Sequence, residues 1–414
     1  MKILVQKFGG TSVANVQKIK TAAKRISKAH KSGYRVVVVV SALGKTTDSL
    51  VALSKEMTSD PSRREMDMLL STGEQISTAL MAMALHNLKL AAVSLTGNQV
   101  GIQTDSEHTR ARILRIKKDR ILKELTAKRI VIVTGFQGCD SNQEITTLGR
   151  GGSDLTAVAL AHSLNAEACE IYTDVDGIYT TDPRVLPTAK KIKKISYEEM
   201  LELASAGAQV MQARSIEMAS KFNIPIHVRS SIVASQGTWI VKGDKDMEKV
   251  LVSGVSLNKK EAKITLIEVS DKPGVAGRIF RAIAKAGVNV DVIVQNVSID
   301  KKSTNISFTV PREDVDVATK AIAKVKPLLK KSQIVADKNI AKISIVGIGM
   351  RSHSGVAADM FEVLGKSRIN IDMISTSEIK ICCVVKKKDA DRAIKVLHDQ
   401  FVTKKDTYAV EVRG

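Results

Sequence analysis

Residues 7–12 read Lys-Phe-Gly-Gly-Thr-Ser and directly follow a short apolar run, Ile3 to Val5, which predicts a strand. A buried strand that ends in a lysine, two glycines and two hydroxyl residues offers backbone N–H groups and one fixed positive charge beyond the edge of a sheet. Phosphate suits such an end. The segment is not a Walker A loop, because G-x-x-x-x-G-K followed by Ser or Thr occurs nowhere in the chain. A tight turn without a ligand is the alternative interpretation of the two glycines.

Length and composition predict a globular protein. The chain has 414 residues, enough for two or three domains, and its 44% hydrophobic content is ample for packed cores. Four cysteines without C-x-x-C spacing are typical of reduced core residues in a cytoplasmic protein. The sequence has no secretory leader pattern and no apolar segment of membrane-spanning length, so we expect a cytoplasmic protein without a membrane partner.

The formal charge of +21 raises the question of nucleic-acid binding. Residues 110–129 are dense in Arg and Lys, but apolar residues recur there at near-helical spacing, which predicts an amphipathic helix with a basic exposed face. Those apolar residues are Ile113, Ile116, Ile121 and Leu125. No RNP, zinc-finger or basic-zipper pattern is present, and aromatic residues make up only 3% of the chain. We therefore expect no nucleic-acid partner and an anionic substrate.

Five apolar runs within the first 240 residues alternate with longer segments of helical period, which predicts an α/β domain with a mostly parallel sheet. Each run leads into polar or glycine-rich residues. Ligands of open α/β sheets bind beyond the carboxyl ends of the strands, so we expect these loops to gather around one site; loops that merely follow buried strands are the alternative. The runs are Ile3 to Val5 before Lys7, Val36 to Val40 before Ser41, Ala92 to Leu95 before Thr96, Ile130 to Val133 before Thr134, and Glu170 to Tyr172 before Thr173.

Residues 149–154 read Gly-Arg-Gly-Gly-Ser-Asp and precede a helix-forming segment. The guanidinium of Arg150 offers a planar fork for a carboxylate or phosphate, and the glycines allow the backbone to approach a ligand closely. Ser153 or Asp154 could cap the helix, whose amino end favours an anion. A capped helix without a ligand is the alternative, but it leaves the Arg-Gly-Gly segment unexplained.

The C-terminal half contains an internal repeat. Gly274-Val275-Ala276 and Asn289-Val290-Asp291 recur 81 residues later as Gly355-Val356-Ala357 and Asn370-Ile371-Asp372. Each copy reads as strand, glycine-containing loop, amphipathic helix and strand, the opening of a βαββαβ module. A glycine loop before a helix can bind an α-carboxylate, with Asn and Asp near an ammonium. Modules that only dimerise are the alternative.

Four separated motifs together resemble those of aspartate kinases, which have the amino-acid kinase fold. The motifs are KFGGTS at 7–12, Glu65 to Leu70 leading into Gly73-Glu74, TTLGRGGSD at 146–154, and IYTDVDGIYTTDPR at 171–184. The two repeats resemble tandem ACT domains. The resemblance implies a three-layer α/β sandwich kinase domain over residues 1–245, a linker with one strand over 246–262, and two α+β ACT domains over 263–340 and 341–414.

The resemblance also implies an activity and its site. The reaction would be ATP-dependent phosphorylation of the side-chain carboxylate of L-aspartate to 4-phospho-L-aspartate, the first step of lysine, threonine and methionine biosynthesis. The family pattern assigns catalysis to Lys7, Arg150 and Asp174, ATP binding to Lys7, Phe8, Gly9, Gly10, Ser41, Thr173, Asp174, Tyr179, Arg184 and Gln209, and substrate binding to Thr47, Glu74, Arg150, Gly151, Gly152 and Ser153. Mg²⁺ would be held mainly by ATP and water, without dedicated metal-ligating side chains.

Several features keep alternatives open. Gln209 stands where family members commonly carry a lysine near the nucleotide, so a charged contact there is not expected. Glu74 could be an exposed helix carboxylate, and Asp174, Asp176 and Asp182 could be turn residues. Glutamate, acetylglutamate or a nucleoside monophosphate could be the acceptor, and a catalytically idle amino-acid sensor is a further alternative.

The same resemblance predicts amino-acid effectors, lysine or threonine or both, and a homo-oligomer or association with a regulatory subunit started internally at Met247. In the second repeat, Ser354 stands where proline is frequent, which puts the second site in question. The implied effector contacts are Asp271, Gly274, Val275, Ala276, Asn289, Val290, Asp291 and Gln295 in the first repeat, and Val356, Ala357, Asn370, Ile371, Ser377 and Glu378 in the second.

Overall fold

A computed structural model describes residues 1–207, 210–244, 247, 250–297, 303–325 and 332–403. The chain forms two compact units. The N-terminal unit comprises the described residues within 1–179, 191–205 and 209–247, and the C-terminal unit those within 180–190, 206–208 and 248–414. Gln209 lies outside the described residues, so its predicted role stays a prediction.

The N-terminal unit alternates strands with helices. Its strands are β1 (Ile3–Phe8), β2 (Arg35–Val40), β3 (Ala92–Leu95), β4 (Ile102–Thr104), β5 (Ile113–Ile116), β6 (Ile130–Thr134), β7 (Gln137–Cys139), β8 (Ile145–Thr147), β9 (Ala168–Thr173), β10 (Ile178–Tyr179), β11 (Lys191–Ile192), β12 (Lys194–Ser196), β13 (Ile226–Ser230) and β14 (Thr238–Val241). Its helices are α1 (Val16–Lys31), α2 (Thr46–Met57), α3 (Arg63–Asn87), α4 (Asp119–Thr126), α5 (Gly152–Ser163), α6 (Tyr197–Ser205) and α7 (Ala213–Phe222).

An eight-stranded sheet with the order β12-β14-β13-β9-β1-β2-β6-β3 forms the centre of the N-terminal unit. All neighbouring pairs are parallel except β13 with β14. The five predicted strands are therefore adjacent and parallel, and their carboxyl ends meet at one edge. Strand β1 pairs with β2 on one side and with β9 on the other, and Lys7 lies beside Val39 of β2 and Ile171 of β9.

Helices cover both faces of this sheet, as its unbroken apolar strands require. Helices α1 and α3 pack on one face, where Phe8, Val38 and Met81 belong to one buried cluster. Helix α5 packs against β1, β2 and β9 from the other side, and its residues 152–161 are all buried. The predicted three-layer arrangement with a mostly parallel sheet is confirmed.

The prediction of one amphipathic helix over residues 110–129 is wrong in its first half. Residues 113–116 form β5, which pairs antiparallel with β4 and belongs to a small sheet of order β5-β4-β7-β8. Only residues 119–126 are helical, with Ile121 and Leu125 buried. The spacing of Ile113 and Ile116 is typical of a helix, but this segment instead pairs with β4, with a register shift between Gln103 and Thr104.

The C-terminal unit contains the two repeats. Its strands are β15 (Gly254–Asn258), β16 (Glu261–Ser270), β17 (Ile293–Val297), β18 (Ser303–Pro311), β19 (Gln333–Asp337), β20 (Ile340–Val346), β21 (Ile371–Thr376) and β22 (Lys380–Lys386). Its helices are α8 (Val275–Lys285), α9 (Val315–Ala323), α10 (Val356–Lys366) and α11 (Ala390–His398), after which residues Asp399–Thr403 form a π-helical turn.

Each repeat forms a four-stranded sheet, with the orders β17-β18-β16-β19 and β21-β22-β20-β15. The first sheet comes from consecutive chain, whereas the second takes its edge strand β15 from before the first repeat, where Gly254 to Asn258 pair with Val346 to Lys342. The predicted linker bounds of 246–262 stay a prediction; the strand within them is β15, which lies later than the run Val250 to Val255 and belongs to the second repeat's sheet.

Two further sequence expectations concern the cysteines and membrane-spanning segments. All four cysteines are buried free thiols. Among the described ranges, no helix is both long and apolar enough to cross a membrane.

Candidate active site

Lys7 is the charged centre of the carboxyl edge of the large sheet. It is the penultimate residue of β1, and its side chain is only 11% exposed. Its Nζ lies 2.5 Å from Oδ1 of Asp154, in the first turn of α5. A buried cation is tolerated when an anion of this kind pairs with it, and the pair fixes the direction in which the ammonium points.

Asp154 was predicted only as a possible helix cap, and that role is wrong. The residue at the N-cap of α5 is Gly151, and no side chain caps the helix. The pattern Gly-Gly-Ser-Asp at a helix start is ambiguous in sequence, because a cap and a lysine partner need the same short carboxylate. The structure therefore adds Asp154 to the residues of this site.

The loop that follows β1 contacts the loop that follows β2. Gly10 must be glycine, since a Cβ there would lie 2.9 Å from the carbonyl oxygen of Ala42 and 3.2 Å from that of Gly44. The Gly44 N–H donates to the Gly10 carbonyl oxygen at 3.1 Å. The Gly9 N–H donates to the Tyr172 carbonyl oxygen at 3.1 Å, so in this structure it is not a free donor for phosphate.

Glu74 is buried in α3 and faces the same loop. Its Oε1 accepts a hydrogen bond from the Ala42 N–H at 3.1 Å, and its buried Oε2 has no hydrogen-bond partner among the described residues. Burial raises the pKa of Glu74 to about 7, although the Ala42 N–H favours the charged form. The alternative of an exposed carboxylate is excluded. Thr47, in the first turn of α2, and Ser41 are both half-buried near this loop in the chain.

Arg150 is exposed at the tip of a turn between two left-handed glycines, Gly149 (φ +77°) and Gly151 (φ +73°). A Cβ on Gly151 would lie 1.8 Å from Cγ of Gln212, so glycine is required there twice over. A Cβ on Gly135, just after β6, would lie 2.5 Å from Oγ of Ser153. The Arg150 turn is therefore packed against the carboxyl end of β6.

Gly152 completes this packing at the first residue of α5. A Cβ there would lie 2.9 Å from side-chain atoms of both Leu148 and Phe136. The loops after β1, β2 and β6 and the start of α5 thus meet at one edge, as the sequence predicts. Phe8 ends β1 itself, and its ring stacks on that of Tyr172 with centroids 4.7 Å apart.

The candidate nucleotide residues lie at the carboxyl end of β9 and beyond it. The Thr173 hydroxyl donates to Oδ1 of Asp174 at 3.1 Å, and the Tyr179 hydroxyl donates to Oδ1 of Asp176 at 2.6 Å. That hydrogen bond is the main reason why the pKa of Tyr179 rises to about 12. Asp176 also pairs with Lys191.

Arg184 belongs to the C-terminal unit, and so does Asp182. The Arg184 Nε and Nη2 donate to the two carboxylate oxygens of Asp182 at 3.0 and 2.8 Å. The Arg184 backbone N–H donates to the same carboxylate at 2.9 Å. Asp182 is thus a turn residue, as one alternative held, and the predicted contact of Arg184 with ATP stays a prediction.

Five of the predicted effector residues line one cavity of about 440 Å³ at the amino end of α8: Asp271, Gly274, Val275, Ala276 and Gln295. Sequence reasoning missed the residues of β18 that complete the cavity, Thr304 and Ile306, because only strand pairing brings them beside Gln295. The other lining residues are Val269, Ser270, Lys272 and Pro273.

Asn289, Val290 and Asp291 do not line this cavity. Asp291 instead pairs with Lys342 of the second repeat, whose ammonium also lies 2.7 Å from Oε1 of Glu261. Burial would lower the pKa of Lys342, but the two carboxylates outweigh it and raise the pKa above its ordinary value. Asp291 is thus already paired with a lysine in this structure, and its contact with an effector ammonium stays a prediction.

The predicted contacts of the second repeat differ in burial and in their partners. Val356 is part of the buried core, with Ala357 and Ile371 packed against it. Asn370 is exposed, the Ser377 N–H donates to the Lys380 carbonyl oxygen, and Glu378 pairs with Arg351 at 3.1 Å. Asp372 pairs with Lys263 of the first repeat at 3.3 Å, so each repeat contributes one aspartate to a lysine of the other.

Comparisons with known proteins follow this geometry. The model of the amino acid kinase family matches residues 2–230, and the ACT domain model matches residues 267–325 and 343–401. The fold is thus that of an amino acid kinase followed by two ACT domains.

Full-length relatives narrow the class. The chain is 50% identical to the aspartokinase of Pseudomonas aeruginosa over 403 residues, 97% of this chain and 98% of the relative. It is 26% identical to E. coli aspartokinase III in complex with aspartate and ADP in the R-state, with a TM-score of 0.81 over 96% of this chain and 99% of that one. The same E. coli enzyme in complex with lysine and aspartate in the T-state gives a TM-score of 0.78 at 26% identity, over 97% of this chain and 100% of that one. The chain belongs to the aspartokinases, the aspartate kinases of the amino acid kinase family.

Proposed function

We propose that the protein transfers the γ-phosphoryl group of ATP to the side-chain carboxylate of L-aspartate and forms 4-phospho-L-aspartate. The observation that carries this proposal is the Lys7–Asp154 ion pair at the carboxyl edge of the sheet. The Arg150 turn packs against the same edge, and Glu74, which has one unpartnered carboxylate oxygen, contacts the loop after β2. E. coli aspartokinase III, which is structurally similar over 96% of this chain, is described with aspartate and ADP, the acceptor and the nucleotide product of such a transfer.

Lys7 has the central catalytic role in this proposal. The acceptor carboxylate is already an anionic nucleophile, so the transfer requires alignment and charge neutralisation rather than a general base. The ammonium of Lys7 neutralises charge on the moving phosphoryl group, and Asp154 holds the ammonium in place at 2.5 Å. Gly10 lets the two loops close around the phosphates, because a Cβ there would meet the Ala42 carbonyl oxygen.

Arg150 and Glu74 suit the two ends of aspartate. The exposed Arg150 guanidinium binds a carboxylate through two parallel hydrogen bonds, next to Gly151, Gly152 and Ser153. The unpartnered Oε2 of Glu74 accepts from the substrate ammonium, which stabilises the charged form of a carboxyl whose pKa burial raises to about 7. Thr47 and Ser41 supply hydroxyl contacts.

For ATP, Thr173 at the end of β9 and Asp174 and Tyr179 beyond it are proposed to contact the nucleotide, together with Arg184 and Gln209. Among the described residues, no cluster of three or more His, Cys, Asp or Glu side chains could hold a metal ion. Mg²⁺ bound to ATP oxygens and water would neutralise phosphate charge.

Regulation is proposed to act through the cavity at the amino end of α8. An effector α-carboxylate would lie at the helix start beside Gly274, whose φ of +86° turns the backbone there. Lysine, threonine or both are the proposed effectors, and the E. coli relative described with lysine supports the first. We further propose that the protein is cytoplasmic and catalyses the first step of lysine, threonine and methionine biosynthesis. It would act as a homo-oligomer or in association with a regulatory subunit whose translation starts at Met247.

A hydroxylamine trap tests the proposed reaction. The protein is incubated with ATP, Mg²⁺ and hydroxylamine, and aspartate, glutamate and acetylglutamate are offered separately, each with and without lysine and threonine. We expect hydroxamate from aspartate alone. Hydroxamate from glutamate or acetylglutamate instead would identify another acceptor, and no hydroxamate under any condition would support the idle sensor.

A further inference from the structure

Asp67 lies on α3 within the motif 65–70, and the proposed reaction gives it no role. Its side chain is fully buried. The carboxylate accepts hydrogen bonds from the Thr147 hydroxyl at 2.5 Å, from the Thr109 N–H at 3.0 and 3.1 Å, and from Nδ1 of His108 at 2.8 Å. Because a carboxylate only accepts, the proton of this last bond lies on Nδ1. These bonds compensate for burial of the charge.

The groups that Asp67 holds lead directly to Arg150. Thr147 ends β8, three residues before Arg150, and its carbonyl oxygen accepts from the Ala111 N–H at 2.9 Å. A Cβ on Gly149 would lie 3.0 Å from the Thr109 carbonyl oxygen, so the turn at 108–111 packs tightly against the residues before Arg150. The turn at 108–111 and the residues before Arg150 therefore both form hydrogen bonds with the Asp67 carboxylate.

Arg214 on α7 fastens the same two segments from another element. Its Nη1 donates to the Leu148 carbonyl oxygen at 2.8 Å and its Nη2 to the Ala111 carbonyl oxygen at 3.4 Å. Beyond Leu148 the chain enters the two left-handed glycines on either side of Arg150. Glycines give a turn conformational freedom, so its direction depends on how firmly its base is held.

We propose that Asp67 is a positioning residue for substrate binding: through Thr147 and Thr109 it fixes the base of the turn that presents Arg150 to a carboxylate of aspartate. The inference rests on the proposed function, which assigns Arg150 to the substrate. Asp67 itself touches no substrate. When its bonds are lost, the turn occupies several arrangements and the productive one is less populated, so affinity falls.

A double-mutant cycle tests the connection to Arg150. Thr147→Val removes the hydroxyl at nearly constant shape, and Thr147→Ser, the matched control, keeps it. We expect Thr147→Val to lower kcat/KM for aspartate about 10-fold, mainly through KM, with KM for ATP changed less than about 2-fold, and Thr147→Ser to stay within about 2-fold of wild type. In an Arg150→Ala background, Thr147→Val should cause no further loss. An unchanged kcat/KM, or the same loss in both backgrounds, would overturn the proposal.

Amide hydrogen exchange tests, without turnover, whether Asp67 and Thr147 hold the base of the Arg150 turn. Asp67→Asn and Thr147→Val should each speed exchange in residues 109–111 and 147–152 by about 10-fold or more, with exchange in β1 and β2 unchanged. Unchanged exchange in those two segments would contradict the positioning role of Asp67. A wild-type protein that forms no aspartyl hydroxamate would instead overturn the proposed function, and the two failures are thus distinguishable.

Discussion

Helices α5 and α8 are two of the described helices that begin at a left-handed glycine without a side-chain cap, and their surroundings differ sharply. At Gly151, before α5, an added Cβ would lie 1.8 Å from the side chain of Gln212, and the first turn contains the Lys7–Asp154 ion pair. At Gly274, before α8, an added Cβ would meet nothing within 4 Å, and a cavity of about 440 Å³ lies beside it. The helix start of the candidate catalytic site is tightly packed and carries a fixed charge, whereas that of the candidate effector site leaves room for a ligand.

The fixed charge should give the largest effect. Lys7→Ala is expected to lower kcat by about 100- to 1,000-fold, because it removes one preorganised cation facing the moving phosphoryl group. Steady-state assays with aspartate and ATP measure this, and Lys20→Ala, an exposed lysine of α1, should stay within about 2-fold of wild type.

Because Lys7→Ala leaves Asp154 buried without its partner, a double variant with Asp154→Asn separates lost catalysis from lost folding. A Lys7→Ala protein with unchanged turnover would refute the role of the lysine. Restored turnover in the double variant would show that the ammonium itself is not needed.

Packing at the two glycines should give the next effect. Gly151→Ala is expected to lower kcat/KM for aspartate by about 100-fold, since Gln212 cannot accept a Cβ without moving the Arg150 turn. Its melting temperature, measured by calorimetry, should fall further than that of Gly274→Ala, for which only about 1–2 kcal/mol of backbone strain is expected. Equal losses of stability would show that the contrast in packing has no energetic consequence.

The pH dependence of aspartate binding tests Glu74. Its raised pKa of about 7 means that the carboxyl is mostly protonated at pH 6 and mostly charged at pH 8. Only the charged form attracts the substrate ammonium, so KM for aspartate should rise about 10-fold as the pH falls from 8 to 6. Glu74→Gln should have a high KM with little pH dependence. A wild-type KM that is flat over this range would contradict the assignment.

The smallest effect concerns the effector cavity. Asp271→Ala should raise the concentration of lysine or threonine for half-maximal inhibition by about 10-fold, the size of one hydrogen bond to a charged group. Asn289→Ala is the matched control, since Asn289 lies outside the cavity, and it should leave inhibition intact. The reverse result would move the effector site to the segment 289–291.

What the sequence predicted well depends on local pattern. The five parallel strands, the loops that follow them and the left-handed glycines at 274 and 355 follow from unbroken apolar runs and from glycine before a helix. The sequence also predicts Lys7 and Arg150 as site residues, because each charge stands among glycines; their roles stay predictions.

What it missed depends on contacts between distant residues. Strand β15 pairs with β20, about ninety residues away, and no local pattern specifies that partner. Asp154 and Asp67 occupy ordinary helix positions, and only the folded chain reveals that one pairs with Lys7 and the other holds the turn before Arg150.

In the proposed reaction the phosphoryl group moves to a side-chain carboxylate oxygen of aspartate. Aspartate labelled with ¹⁸O in its side-chain carboxylate, ATP and hydroxylamine test it directly, because attack at the acyl carbon releases phosphate that keeps the bridging oxygen. We predict phosphate carrying one ¹⁸O atom, detected by ³¹P NMR, from the wild type, and about 100-fold slower release from Lys7→Ala. Unlabelled phosphate from the wild type would mean transfer to water and would contradict the account.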